Sequence, residues 1–180
     1  MTHYVLFVIS IADRVVDIAG ITAQPTEAWM LQVGRNLMDE EGGALASMRK
    51  LIVDRDTKYT KQFRKLLEDS GTAVIRLSPV SPNLNAYAER FVRSIKAECL
   101  ARMVFIGQAS LRRAIDEYMV HYHEERNHQG LDNRMIRANP ADAANDAFIY
   151  RRQRLGGMLN YYYCAAARGS RPNSWILRDT

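Results

Sequence analysis

Apolar residues run unbroken from Tyr4 to Ile9, and a short continuous run of this kind predicts an interior strand. Arg14 to Ala19 predicts a second strand closed by Gly20, and the short link between the two predicts an antiparallel hairpin. Pro25 and Thr26 then open a helix to about Met38, with Trp29, Val33 and Leu37 on one face, and Gly42-Gly43 lies beyond its end. Leu51-Ile52-Val53 predicts a short buried strand ending at Asp54. Thr60 to Asp69 predicts a helix with Phe63, Leu66 and Leu67 inward, stopped by Ser70-Gly71, and Ala73 to Leu77 predicts another strand.

Two prolines, Pro79 and Pro82, forbid regular structure in the stretch 78–82. A long helix is expected from about Asn83 to Met103 and another from Ser110 to Arg126, with an irregular stretch after it. Arg151 to Leu155, Gly156-Gly157 and Met158 to Tyr163 read as a hairpin with a Gly-Gly turn. The tail after Ala167 is expected to be loose. The order β-β-α-β-α-β-α-α is that of a mixed α/β domain, a sheet covered by helices. The expected division is a core over 1–133 and a basic extension over 134–180.

Charge sharpens that division. Residues 1–133 hold 17 Lys+Arg and 17 Asp+Glu, whereas residues 134–180 hold eight arginines, three aspartates and no lysine. The whole net charge of +5 therefore sits in the extension, a distribution suited to phosphate contact and equally compatible with a solvated tail. No apolar run is long enough to cross a bilayer and no signal peptide is read, so a cytoplasmic location is expected. The only cysteines, Cys99 and Cys164, point to neither a disulfide framework nor a zinc site.

Candidate chemistry centres on carboxylates. Asp54 is expected where a buried strand meets a loop, a rigid place from which to present a catalytic acid. A simple turn aspartate is the competing reading, and Asp56 is the competing residue. On the long helix Ala88, Phe91, Val92, Ile95 and Cys99 recur at core spacing, while Glu89, Arg93 and Lys96 share another face. That face is either a surface ion pair, worth about 0.3–0.5 kcal/mol, or a metal-binding glutamate beside phosphate-binding cations. His121, His123 and His128 lie close in sequence, but helical spacing turns 121 and 123 apart and no cysteine is near, which argues against zinc. Arg126 and His128 are expected to cap the helix end.

Three segments together resemble the catalytic core of DDE-type integrases and bacterial insertion-sequence transposases. Leu51-Ile-Val-Asp-Arg-Asp-Thr-Lys-Tyr-Thr resembles the second-aspartate motif. Ser81-Pro-Asn-Leu-Asn-Ala-Tyr-Ala-Glu-Arg-Phe-Val-Arg-Ser-Ile-Lys-Ala-Glu resembles the glutamate motif. Tyr122-His-Glu-Glu-Arg-Asn-His-Gln-Gly-Leu resembles the closing element, with His123 where the family has Asn. The 34 residues between Asp54 and Glu89 suit the family's spacing. The resemblance implies a ribonuclease-H-like mixed sheet flanked by helices and DNA integration or transposition. It implies a site in which carboxylates hold two Mg²⁺ (or Mn²⁺) ions about 3.5–4 Å apart. It assigns Asp54 and Glu89 as catalytic metal ligands and Asn85, Arg90, Arg93 and Lys96 to DNA. The implied partners are element-end and target DNA, with a homo-oligomer or a full-length transposase as protein partner.

One part of the family pattern is not matched. The first aspartate belongs to a strand upstream of Tyr4–Ile9, Ser10 stands where an Asp often closes the second strand, and neither Asp13 nor Asp17 matches the first position. The chain is therefore expected to lack the first, central strand and to be inactive by itself. Each unpaired buried backbone group costs about 1–3 kcal/mol, so marginal stability is expected as well. The rival expectation is a non-catalytic DNA- or transposase-binding fragment that uses the Arg-rich tail.

Overall fold

The computed structural model describes residues 2–78, 85–138 and 149–164, and the expected Pro79–Pro82 loop and the tail after Ala167 lie outside them. Two compact units are present, Met1–Ser94 and Ile95–Thr180.

In the first unit, β1 (Tyr4–Ile9) and β2 (Val16–Thr22) form an antiparallel hairpin. The second strand runs through Gly20 instead of stopping there. The register shifts between Leu6 and Phe7, where Ala19 is the extra residue of a bulge, and the adjoining Gly20 leaves room for the indole of Trp29. Thr26 Oγ1 accepts the Trp29 N–H at 3.3 Å and starts α1 (Glu27–Leu37), which buries Met30, Val33 and Leu37. The chain then doubles back so tightly that a Cβ at Gly43 would meet the backbone of Leu37 and Asp39.

Strand β3 (Lys50–Val53) pairs in parallel with β4 (Ala73–Arg76). Parallel neighbours need a crossover, and α2 (Lys61–Asp69) supplies it, capped by Thr60 Oγ1 on the Phe63 N–H at 3.2 Å. Met30, Val33, Leu37, Leu45, Phe63 and Leu67 make one core, against which Leu6 and Val8 of β1, Leu51 of β3 and Val74 of β4 all pack. Both strand pairs thus rest on the same two helices. They nevertheless remain separate two-stranded sheets, because among the described residues no strand pairs with the outer edge of β1 or of β3.

Helix α3 (Ala86–Glu98) begins in the first unit and ends in the second, where a 3₁₀ turn, Leu100–Arg102, follows it. It is shorter than expected at both ends, since the proline-rich approach precedes it and Cys99 departs from helical geometry. In the second unit α4 (Gly107–Glu124) starts three residues earlier than the pattern suggested and buries Leu111, Ala114, Ile115, Tyr118 and Tyr122. The hairpin is present as β5 (Ile149–Arg154) and β6 (Leu159–Cys164), two residues longer at its start and one at its end than expected. Leu155, Gly156 and Gly157 all have positive φ (51°, 64° and 92°) at its turn, a path that favours the glycines. The architecture is mixed α/β with small sheets and, among the described residues, four α-helices. No helix among them is long and apolar enough to cross a membrane.

Candidate active site

Val53 at the end of β3 is buried, and the next residue, Asp54, is exposed. Its Oδ1 accepts the Asp56 N–H at 2.9 Å, which bends the chain sharply away from the strand. Asp56 is used differently. It accepts the Lys58 N–H at 2.9 Å and forms an ion pair with Lys58 Nζ at 2.7 Å, and this lysine lowers its pKa below the ordinary carboxylate value. Of the two sequence candidates, Asp56 is committed to Lys58 and Asp54 is the one presented at the strand end. Lys58 also lies 5.0 Å from the ring centroid of Tyr4. Next to it the Tyr59 hydroxyl is pushed up to about 12, first by burial and then by the charges of Asp54 and Asp56. A cavity of about 140 Å³ opens here between Tyr4 to Leu6 of β1, Trp29 and Met30 of α1, and Asp56 and Tyr59.

Helix α3 displays the two faces its spacing predicts. Phe91, Ile95 and Cys99 are buried, whereas Glu89, Arg90, Arg93 and Lys96 are exposed. Glu89 lies in the first turn, where the helix dipole favours an anion, and Lys96 in the last, where it favours a cation. Asn85 stands half-buried just ahead of the helix. The helix is docked on the β1–β2 hairpin by Phe7 and Phe91, whose ring centroids are 4.8 Å apart. A second contact escaped the sequence reading: the Arg14 guanidinium lies 3.7 Å from the ring centroid of Tyr87. Arg14 sits at the tip of the β1–β2 hairpin with φ 65°, and its buried Nη1 has no hydrogen-bond partner. No local pattern in the sequence pairs Arg14 with Tyr87, which lie 73 residues apart.

Among the described residues no three His, Cys, Asp or Glu side chains gather as a metal-binding group. Asp54 and Glu89 offer the hard oxygen donors that Mg²⁺ prefers, but the donor set needed to bridge two ions is not assembled. Among the described residues, Asp54 and Glu89 by themselves do not fit a two-ion site.

His121, His123 and His128 are all buried. His128 Nε2 donates to the Tyr122 carbonyl at 2.7 Å and its ring meets Tyr122 edge-on, and its pKa is lowered first by burial. Arg126 grips Glu98 through Nε at 3.2 Å and Nη2 at 2.9 Å.

A further polar centre in the second unit went unread. The Glu125 side chain is 1% exposed. Arg154 Nη2 and Nε donate to it at 2.7 and 2.9 Å, Arg152 Nη1 at 3.3 Å, and His121 Nδ1 lies at 3.2 Å. Burial pushes the carboxyl up, but the His121 and arginine contacts prevail and hold it at about 2. Two arginines of the basic extension are thus paired with Glu125.

Residues 70–135 match the family described as the integrase core domain. The match includes Glu89, all of α3 and α4 and the closing Tyr122–Leu131 element, and it bears out the resemblance to an integrase or transposase catalytic core. No curated protein matches the chain.

Proposed function

We propose that the chain acts in DNA integration or transposition, as a core of the DDE type in which Asp54 and Glu89 are the catalytic carboxylates. The observation that carries this reading is Glu89 on the exposed face of α3, inside the stretch that matches the integrase core domain. The presentation of Asp54 at the end of β3, directly after the buried Val53, supports its partner role. The two strand pairs packed on common helices are what a ribonuclease-H-like sheet would leave if its central position were unoccupied. In this reading Asn85, Arg90, Arg93 and Lys96 contact DNA, residues 1–133 form the core and residues 134–180 a basic extension.

The family's chemistry uses divalent metal, and Mg²⁺ or Mn²⁺ is the proposed ion. Because no third carboxylate joins Asp54 and Glu89 among the described residues, the isolated chain is expected to bind DNA without joining strands. Fluorescence anisotropy with duplex oligonucleotides over a range of salt tests this. Binding should weaken steeply with salt, and Arg93→Ala with Lys96→Ala should lower the slope of log K against log salt by about 2. An affinity indifferent to salt and to both substitutions would remove the DNA-facing role of α3.

A further inference from the structure

We propose that the outward face of the β5–β6 hairpin is a β-ribbon that enters the major groove of duplex DNA. The proposal takes DNA as the partner from the reading above, but its residues are separate from Asp54, Glu89 and α3.

Strand parity sorts the hairpin into two faces. One face turns inward: Arg152 and Arg154 bind Glu125, the Arg152 guanidinium lies 4.6 Å from the ring centroid of Tyr163, and Leu159 and Tyr163 are buried. The other face carries the exposed Ile149, Arg151, Gln153, Asn160 and Tyr162, with Cys164 half-buried opposite Ile149. The register sets Arg151 directly opposite Tyr162, which is 62% exposed, and Gln153 opposite Asn160. The side-chain amides of that second pair meet at 3.4 Å, the long end of a hydrogen bond. Arg, Gln and Asn are the side chains whose paired donors and acceptors match base edges in the major groove, and a two-stranded ribbon is narrow enough to enter it.

The spacing agrees. Same-face residues on an antiparallel strand are about 6.8 Å apart, the rise of two base-pair steps at about 3.4 Å each. Arg151 and Gln153 can therefore meet base pairs two steps apart. The charge favours nucleic acid over a protein surface: the outward face carries Arg151 and no acidic residue, and residues 134–180 carry the chain's whole net charge. The ribbon is also held in place before any ligand arrives, because Glu125 fixes two inward arginines and Glu117 Oε2 accepts the Leu155 N–H at 2.7 Å at the turn.

The test uses the full chain and a fluorescein-labelled mixed-sequence duplex, read by anisotropy. Arg151→Ala and Tyr162→Ala lie on the exposed face, and far-UV circular dichroism checks that both variants stay folded. Together they should weaken binding about ten- to a hundredfold. Methyl green, which occupies the major groove, should compete, and netropsin, which occupies the minor groove, should not. Unchanged affinity in the double variant overturns the proposal, as does competition by netropsin, or equal affinity for single-stranded DNA or duplex RNA. If Arg93→Ala with Lys96→Ala abolishes binding while the hairpin variants do not, the ribbon fails and the α3 reading stands. The reverse pattern leaves the ribbon standing alone.

Discussion

Replacing Glu125 with Gln removes one charge from a centre that holds the C-terminal hairpin to α4. The carboxylate is buried and bound by Arg154, Arg152 and His121, and its pKa is about 2 against an ordinary value of 4.5. A depression of that size corresponds to about 3 kcal/mol of stability. Removing one partner of a buried ion pair while leaving the others costs about 3–5 kcal/mol, so the two routes agree. Because the folded pKa is depressed, the contribution is complete above the unfolded value near 4.5 and is lost as pH falls toward 2. Urea unfolding followed by circular dichroism should therefore place Glu125→Gln about 3 kcal/mol below the native chain at pH 7, with the gap narrowed to less than half by pH 3. Hydrogen exchange should show the loss concentrated in the amides of β5 and β6. A variant equal in stability at pH 7, or a gap that does not change with pH, would refute the reasoning.

Other expected outcomes are simpler. Thr60→Ala removes the hydrogen bond to the Phe63 N–H and should cost about 1 kcal/mol in urea unfolding, with Thr60→Ser restoring most of it. Phe63→Ala empties the centre of the first unit's core and should cost about 3–5 kcal/mol by the same measurement. Gly43→Ala should lower the thermal midpoint, because its methyl would press on the backbone of Leu37 and Asp39, whereas Gly42→Ala, with open space around it, should leave the midpoint nearly unchanged.

The elements were legible wherever local physics decides them. The continuous run at Tyr4–Ile9, the Thr caps at 26 and 60, the core stripe of α3 and the Gly-Gly turn all appear close to where the pattern puts them. Sheet assembly was less legible, because pairing is non-local: the same strands form separate two-stranded sheets, and only the structure decides which edges meet.

The candidate site divides in the same way. Sequence left Asp54 and Asp56 as competitors, and only the structure shows that Asp56 is paired with Lys58. The Glu125 centre could not be read, since its arginine partners lie 27 and 29 residues further along the chain. The sequence did not sort the arginines of the extension, and strand alternation turns Arg152 and Arg154 toward Glu125 and leaves Arg151 exposed.

The central proposal is that Asp54 and Glu89 both face the DNA. The most direct measurement is the duplex affinity of the native chain relative to an Asp54→Asn, Glu89→Gln variant, with EDTA and then with Mg²⁺. Two carboxylates facing phosphates repel them when no cation intervenes, by about 1 kcal/mol per close pair in water. The variant should bind about fivefold or more tightly than the native chain in EDTA, and Mg²⁺ should narrow the difference. Equal affinities in EDTA, or weaker binding by the variant, would place these carboxylates away from the DNA and contradict the account.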